Sequence, residues 1–196
     1  MLKGNSVKRF RIAALALVGA ALIAGCGGSS TTEPTATGAS IAAPTDGTLF
    51  TDPAGAYSIT TGPDWTAGTG QTAIAATFWM LKGGDAEFSD NVNILTQAVP
   101  DGMDLDEYTK VSLENAPKLI QNLNVITNER ITLASGQPAS RLRFSGTTSG
   151  KTLEFLQVYA VAGKRAVVVT LTAPASRIDG DIAAAEPYMR TLKANS

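Results

Sequence analysis

The apolar and polar positions divide this chain into three stretches. Ile12 to Ala24 is an almost unbroken apolar run, and residues 27–44 then show no hydrophobic period at all. From about Asp46 onward the periods of folded structure appear. Thr48 to Thr51 and Ala56 to Thr60 read as short extended pieces on either side of the turn Asp52-Pro53-Ala54-Gly55, and Gly62-Pro63-Asp64-Trp65 reads as a second turn. Thr72 to Lys82 and Val92 to Val99 are rich in Thr, Val, Ile and aromatic residues, the composition of strands. Asp104 then offers an N-cap with Glu107 three residues on, a capping-box start. Leu105, Tyr108, Leu113, Ala116, Leu119, Ile120 and Leu123 follow on one face at 100° per residue, with Pro117 expected to kink or split the helix.

Four further strands are expected at Val125 to Leu133, Ala139 to Ser145, Leu153 to Val161 and Arg165 to Thr172. The second of these alternates cleanly at Leu142 and Phe144 against Arg141 and Arg143, and the last two are joined by a hairpin turn at Gly163-Lys164. Ala166-Val167-Val168-Val169 is apolar on both faces, which places that strand at the centre of a sheet covered on both sides. Ile178 to Leu192 closes the domain as a helix, with Pro187 a kink or a restart. Hairpin-joined strands, one inserted helix and one terminal helix predict an α+β fold, an antiparallel β-sheet packed by helices.

The first stretch changes the picture from fold to location. Lys3, Lys8, Arg9 and Arg11 precede the apolar run and small residues lead to Cys26, the tripartite order of a secretory signal. Thirteen residues span roughly 20 Å as a helix, short of a hydrocarbon core of about 30 Å, so the run does not read as a permanent membrane span. Ile23-Ala24-Gly25-Cys26 resembles the lipobox of bacterial lipoproteins, which implies a diacylglycerol on Cys26 and a mature chain beginning there. The expected organisation is a signal peptide over 1–25, a lipidated cysteine and tether over 26–45, and one folded domain over 46–196. The tether is rich in Gly, Ser, Thr, Ala and Pro, and as a coil it reaches roughly 20–25 Å. The expected location is therefore the extracytoplasmic face of the cell membrane, held by the lipid anchor.

Charge and composition narrow the chemistry. Four of the 16 basic residues lie before Cys26 and none of the 17 acidic ones does, so the mature chain carries 12 positive against 17 negative side chains. An acidic domain is a poor ligand for nucleic acid. The sequence has no histidine and a single cysteine, which excludes imidazole-based hydrolases, most zinc enzymes and a disulfide framework. Catalytic residues, cofactor and metal are each expected to be none.

Several segments in order resemble one family. Asp52 to Ile59 with Gly62 to Trp65, Asp90 to Leu95, Asp104 to Ile120, Gly136 to Phe144 and Leu153 to Thr172 together resemble the PsbP-like fold, and most closely the LpqN-type lipoproteins of actinobacteria. The resemblance implies an α/β/α sandwich and a non-enzymatic binding or assembly role. It carries no catalytic set onto these positions.

Candidate sites are few. Gly146 to Thr152 looks like a phosphate loop, but the glycine spacing is wrong and it joins two strands, so it reads as a hairpin turn. Asp101, Asp104, Asp106 and Glu107, and separately Asp85, Glu87 and Asp90, are acidic clusters without the calcium-loop spacing. Asn91 and Asn93 share one face of a strand, where they either bond to neighbouring loops or line a pocket. Tyr57, Trp65, Phe78, Trp79, Phe155 and Tyr159 are either core or the lining of a cleft between sheet and helix. Asn91, Asn93 and Trp79 are the candidate ligand-binding residues. The expected function is a non-catalytic accessory protein of the envelope acting through protein contact. The alternative is a carrier or sensor of an apolar ligand such as a lipid, which calls for a cavity of roughly 300–1,000 Å³.

Overall fold

The computed structural model describes residues 42–68, 76–81 and 88–196, with the side chains of 76–81 outside the description. Seven strands form one antiparallel sheet: β3 (Trp65–Ala67), β4 (Ala76–Leu81), β5 (Asn91–Ala98), β6 (Gln121–Thr132), β7 (Pro138–Thr148), β8 (Lys151–Ala162) and β9 (Arg165–Ala173). Their spatial order is β3-β4-β5-β9-β8-β7-β6. A second small sheet holds β1 (Thr48–Thr51), β2 (Tyr57–Thr61) and β10 (Lys193–Ala194), with β2 in the middle. Helix α1 (Leu105–Asn115) packs on one face of the large sheet and α2 (Ile178–Met189) on the other. The α+β class and the sheet-between-helices sandwich are therefore those the sequence predicts.

The central strand is the doubly apolar one. β9 lies between β5 and β8, and Ala166 to Ala173 are all buried. Its odd residues Val167, Val169 and Leu171 join Val92, Ile94, Leu156 and Val158 in a core beneath α2, closed by Ile178, Ala185 and Met189. Its even residues Ala166 and Val168 join Leu142, Phe144, Phe155 and Tyr159 in a second core beneath α1. Phe144 and Phe155 stack there at 4.8 Å between ring centroids.

Three features differ from the sequence reading. Asp104 caps α1 by accepting from the Glu107 N–H at 2.8 Å, as its position suggests. The helix ends at Asn115, and Pro117 sits in a single 3-10 turn, Ala116–Lys118. The chain then turns straight into β6 at Gln121, so Leu123, which continues the helical stripe, belongs to a strand. Arg141 and Arg143 do not face water, because α2 covers their side of β7. Arg141 donates to Glu186 of α2, and Arg143 bonds Glu154 and Asp179. Pro187 does not restart α2, which runs through it to Met189; a proline in the last turn deprives the helix of one bond only.

The hairpins lie where the turn residues put them. Ser149 and Gly150 carry φ of 50° and 74°, two successive left-handed residues joining Thr148 to Lys151. That is the conformation of a tight hairpin, and it accounts for the glycine-rich run from Gly146 to Thr152. Trp65 opens β3 and tilts its ring against Tyr188 of α2 at 5.9 Å, fixing the turn at Gly62 to the helix.

Candidate functional site

The α1 side of the large sheet is not apolar throughout. Asn93 of β5 stands opposite Thr170 of β9, and Thr170 stands opposite Gln157 of β8. Paired residues share a face, so these three side chains form one polar row across the three central strands. All three are buried. Gln157 Nε2 donates to Thr170 Oγ1 at 3.2 Å. Asn93, only 2% exposed, has no hydrogen-bond partner for Nδ2 among the described residues. An unmet buried donor costs about 1–3 kcal/mol.

Above this row lies a cavity of about 100 Å³ between the sheet and α1. Its floor includes Asn93, Gln157, Thr170, Leu95 and Val168, and its roof includes Tyr108, Val111 and Leu113 of α1. Leu119, on the far side of the 3-10 turn, lines it as well and is 40% exposed, so the cavity reaches solvent where α1 gives way to β6. Among the described residues no Asp, Glu, Lys or Arg lines it.

Helix α1 is fastened over the cavity by hydroxyl bonds. Tyr159 of β8 donates to Thr109 Oγ1 at 2.9 Å, Thr109 donates to the Leu105 carbonyl at 2.7 Å, and Ser140 Oγ lies 3.2 Å from Thr109 Oγ1. The Tyr108 hydroxyl donates to Gln97 Oε1, and the two tyrosine rings meet nearly edge to face at 5.5 Å. Burial pushes both tyrosine hydroxyls above their ordinary range.

The predicted site residues are distributed unevenly. Asn93 and Tyr159 line the cavity. Asn91, one step along the same face, lies outside it, opposite Thr172; its Nδ2 reaches the Ser89 carbonyl at 3.1 Å and its Oδ1 is buried without a donor. Trp79 pairs with Val92 in the backbone register, and its side chain lies outside the described residues, as do those of Phe78, Asp85 and Glu87. Ile23, Ala24, Gly25 and Cys26 also lie outside the described residues. Tyr57 belongs to the α2-side core and Phe155 to the α1-side core. The acidic residues serve the fold: Asp101 pairs with Lys164, Asp106 with Arg130, and Asp90 with Arg177 through two bonds of 2.7 Å. Among the described residues no group of three or more His, Cys, Asp or Glu is placed to hold a metal, and no helix is long and apolar enough to cross a membrane.

Gln157 and Thr170 are cavity residues the sequence reading missed, as are Gln97, Ser112 and Asn115. Gln157 is the one polar residue in Leu153–Val161 other than Glu154 and the tyrosine, and Thr170 and Thr172 alternate with Val169 and Leu171. The signal was there: polar residues on one side of a strand otherwise apolar on both.

A second buried polar cluster lies at the start of α2. Asp181 lies beside Asp90, and its buried Oδ2 meets no donor among the described residues. Burial first, then the Asp90 charge, push the Asp181 carboxyl up from 3.8 to about 6. Between these two values the folded chain holds a proton that the unfolded chain has lost, so stability falls as pH rises through that window. Asp181→Asn is expected to raise the melting temperature at neutral pH and to leave it unchanged below about pH 4, which thermal denaturation across pH checks.

An antiparallel sheet with one helix on each face and a cleft beneath the inserted helix defines an α+β domain of the PsbP-like kind. The chain belongs to the DcrB family, whose model matches residues 76–191. Solved structures agree on the fold. A Pseudomonas aeruginosa protein of unknown function matches at 17% identity with a TM-score of 0.57, over 76% of this chain and 98% of its own. PsbP of the cyanobacterium Synechocystis matches at 12% with 0.56, over 88% and 98%. LpqN of Mycobacterium tuberculosis, described as involved in cell envelope biogenesis, matches at 14% with 0.53, over 75% and 84%. At these identities the likeness is one of fold. No curated protein matches the sequence.

Proposed function

We propose that this chain is a non-catalytic accessory protein of the cell envelope, held outside the cytoplasm by a lipid on Cys26 and acting through contact with another envelope protein. The observation that carries the non-catalytic part is the chemistry of the cleft. Among the described residues its lining has no carboxylate and no amine, the chain has no histidine, and the two tyrosines there are pushed further from neutrality by burial. General acid–base catalysis needs a group that exchanges a proton near the working pH, and this cleft offers none. The buried carboxylates Asp90 and Glu186 are engaged by arginines that hold α2 in place.

Envelope placement is supported by the Ile23-Ala24-Gly25-Cys26 sequence behind its signal-like leader, and by the shared fold with LpqN, a protein of envelope biogenesis. Anchoring raises the local concentration of the domain around membrane complexes, so a weak contact suffices. A carrier of whole lipids is less well supported, because about 100 Å³ is well below the roughly 300–1,000 Å³ of sites that enclose a drug-sized molecule.

Two measurements test the proposal. Cells fed an alkyne-tagged palmitate are expected to label the wild-type protein and not Cys26→Ala; equal labelling of both removes the anchor. Crosslinking in intact cells is expected to trap a recurrent envelope polypeptide, and repeated recovery of the chain alone removes the partner.

A further inference from the structure

We propose that the cavity under α1 is a binding site for a small uncharged molecule with a compact apolar body and one hydrogen-bond acceptor, received by Asn93 Nδ2. The proposal needs neither the anchor nor a protein partner, so it stands or falls apart from the function above.

The first support is the unmet donor. Asn93 is fully enclosed on the central part of the sheet, it lines the cavity, and its Nδ2 has no partner among the described residues. Gln157 and Thr170, next in the same row, bond to each other at 3.2 Å, so that pair is already engaged, while the amide nitrogen of Asn93, a residue that lines the cavity, is left without an acceptor among the described residues. An aliphatic residue would close this part of the sheet without leaving a polar group unsatisfied. A ligand oxygen at that point supplies the missing acceptor.

The second support is the lining. Among the described residues no acidic or basic side chain faces the cavity, so a carboxylate or ammonium placed there would be buried without a counter-charge. The ligand is neutral, and its polar atom is a carbonyl, ester or ether oxygen. Leu95, Val168, Leu113 and Leu142 then take the apolar body. The third support is size. About 100 Å³ suits a single ring or the end of a short acyl chain; an apolar cavity of about 150 Å³ engineered into another protein takes up benzene. The exposed Leu119 at the lip marks the way in.

The test uses the full chain in lipid nanodiscs, with protein-free nanodiscs as the control for partitioning. Three probes of similar shape are added: cyclohexanone, methylcyclohexane and cyclohexanecarboxylate. Binding is followed on the Leu95 and Val168 methyl resonances and on the Asn93 side-chain amide. The ketone is expected to give saturable shifts and to bind about tenfold tighter than either of the others, as a donor left unmet by the hydrocarbon demands. Asn93→Leu is expected to abolish the preference of ketone over hydrocarbon. No saturable shift with the ketone, as a site filled only by water gives, overturns the proposal. So does hydrocarbon or carboxylate binding as tightly as ketone in the wild type. Should Asn93→Leu not fold, the three wild-type titrations decide alone.

Discussion

Replacing Glu186 by alanine is expected to lower the unfolding free energy by about 3–5 kcal/mol, the usual cost of removing one member of a buried ion-pair network. Glu186 sits on α2 with its side chain 10% exposed, between Arg141 of β7 at 14% and Arg190 at the helix end at 10%. Arg141 donates from Nε and Nη2 to its two oxygens at 2.9 and 3.0 Å, and Arg190 donates from Nε and Nη2 to Oε1 at 2.8 and 2.6 Å. Alanine leaves two enclosed guanidinium groups without that counter-charge. Burial alone would raise the Glu186 carboxyl, but the two arginines outweigh it and hold the group below its ordinary range. The sign for pH follows. Its contribution is present above the ordinary carboxylate pKa of 4.5 and is lost as pH falls through the lowered folded value. Urea denaturation at neutral pH checks the first expectation, and the gap between wild type and Glu186→Ala should narrow in strong acid. A change under 1 kcal/mol at neutral pH would show that the network contributes little.

Gly146→Val is expected to cost about 3 kcal/mol, at the upper end of the range for overpacked sites. Gly146 lies in β7 where the chain leaves the 3-10 turn for β6. A Cβ built there would stand 2.1 Å from Ile120 Cγ2 and 3.1 Å from the Gln121 carbonyl oxygen. Ile120 is fully buried and stiff at its branch, so it has no room to yield. The backbone of β7 must then move, and with it the register against Gln121. Gly150→Ala, at the tip of the same hairpin, meets no atom within 4 Å and is strained only by its φ of 74°. Melting temperatures of the two variants separate the effects: the valine substitution should be far the more damaging. Equal losses would place the cost in the turn conformation and not in the contact.

The parts of this fold that local chemistry dictates were legible in the sequence. β9 announces itself by being apolar on both faces, Ser149-Gly150 and Gly163-Lys164 by their turn residues, and α1 by Asp104. What was not legible depends on distant partners. β10 has two residues, too few for a pattern, and exists because Gln137 bonds both the N–H and the carbonyl of Ala194. Leu123 fits the helical stripe as well as any residue before it, and only the close approach of Ile120 to Gly146 shows that the helix has already ended. Arg141 and Arg143 alternate with apolar residues and so read as solvent-facing. Their carboxylate partners lie 45 and 11 residues away, and no short window contains the first. The candidate site was half visible: two asparagines spaced by two mark a polar stripe, while its continuation across Thr170 and Gln157 is written in the register of three strands.

The small sheet sets how the domain hangs from whatever lies upstream. β2 pairs with β1, at the start of the folded part, and with β10, near its end; both belong to the α2 side. A pull arriving along the chain before Thr48 is therefore borne first by β1 against β2, and reaches the large sheet through the short turn from Thr61 to Trp65 as well as through β10 on the other edge of β2. Force along that line loads the four β1–β2 residue pairs in shear first. The helix roof over Asn93 lies across the large sheet, on the face opposite the one where this small sheet packs.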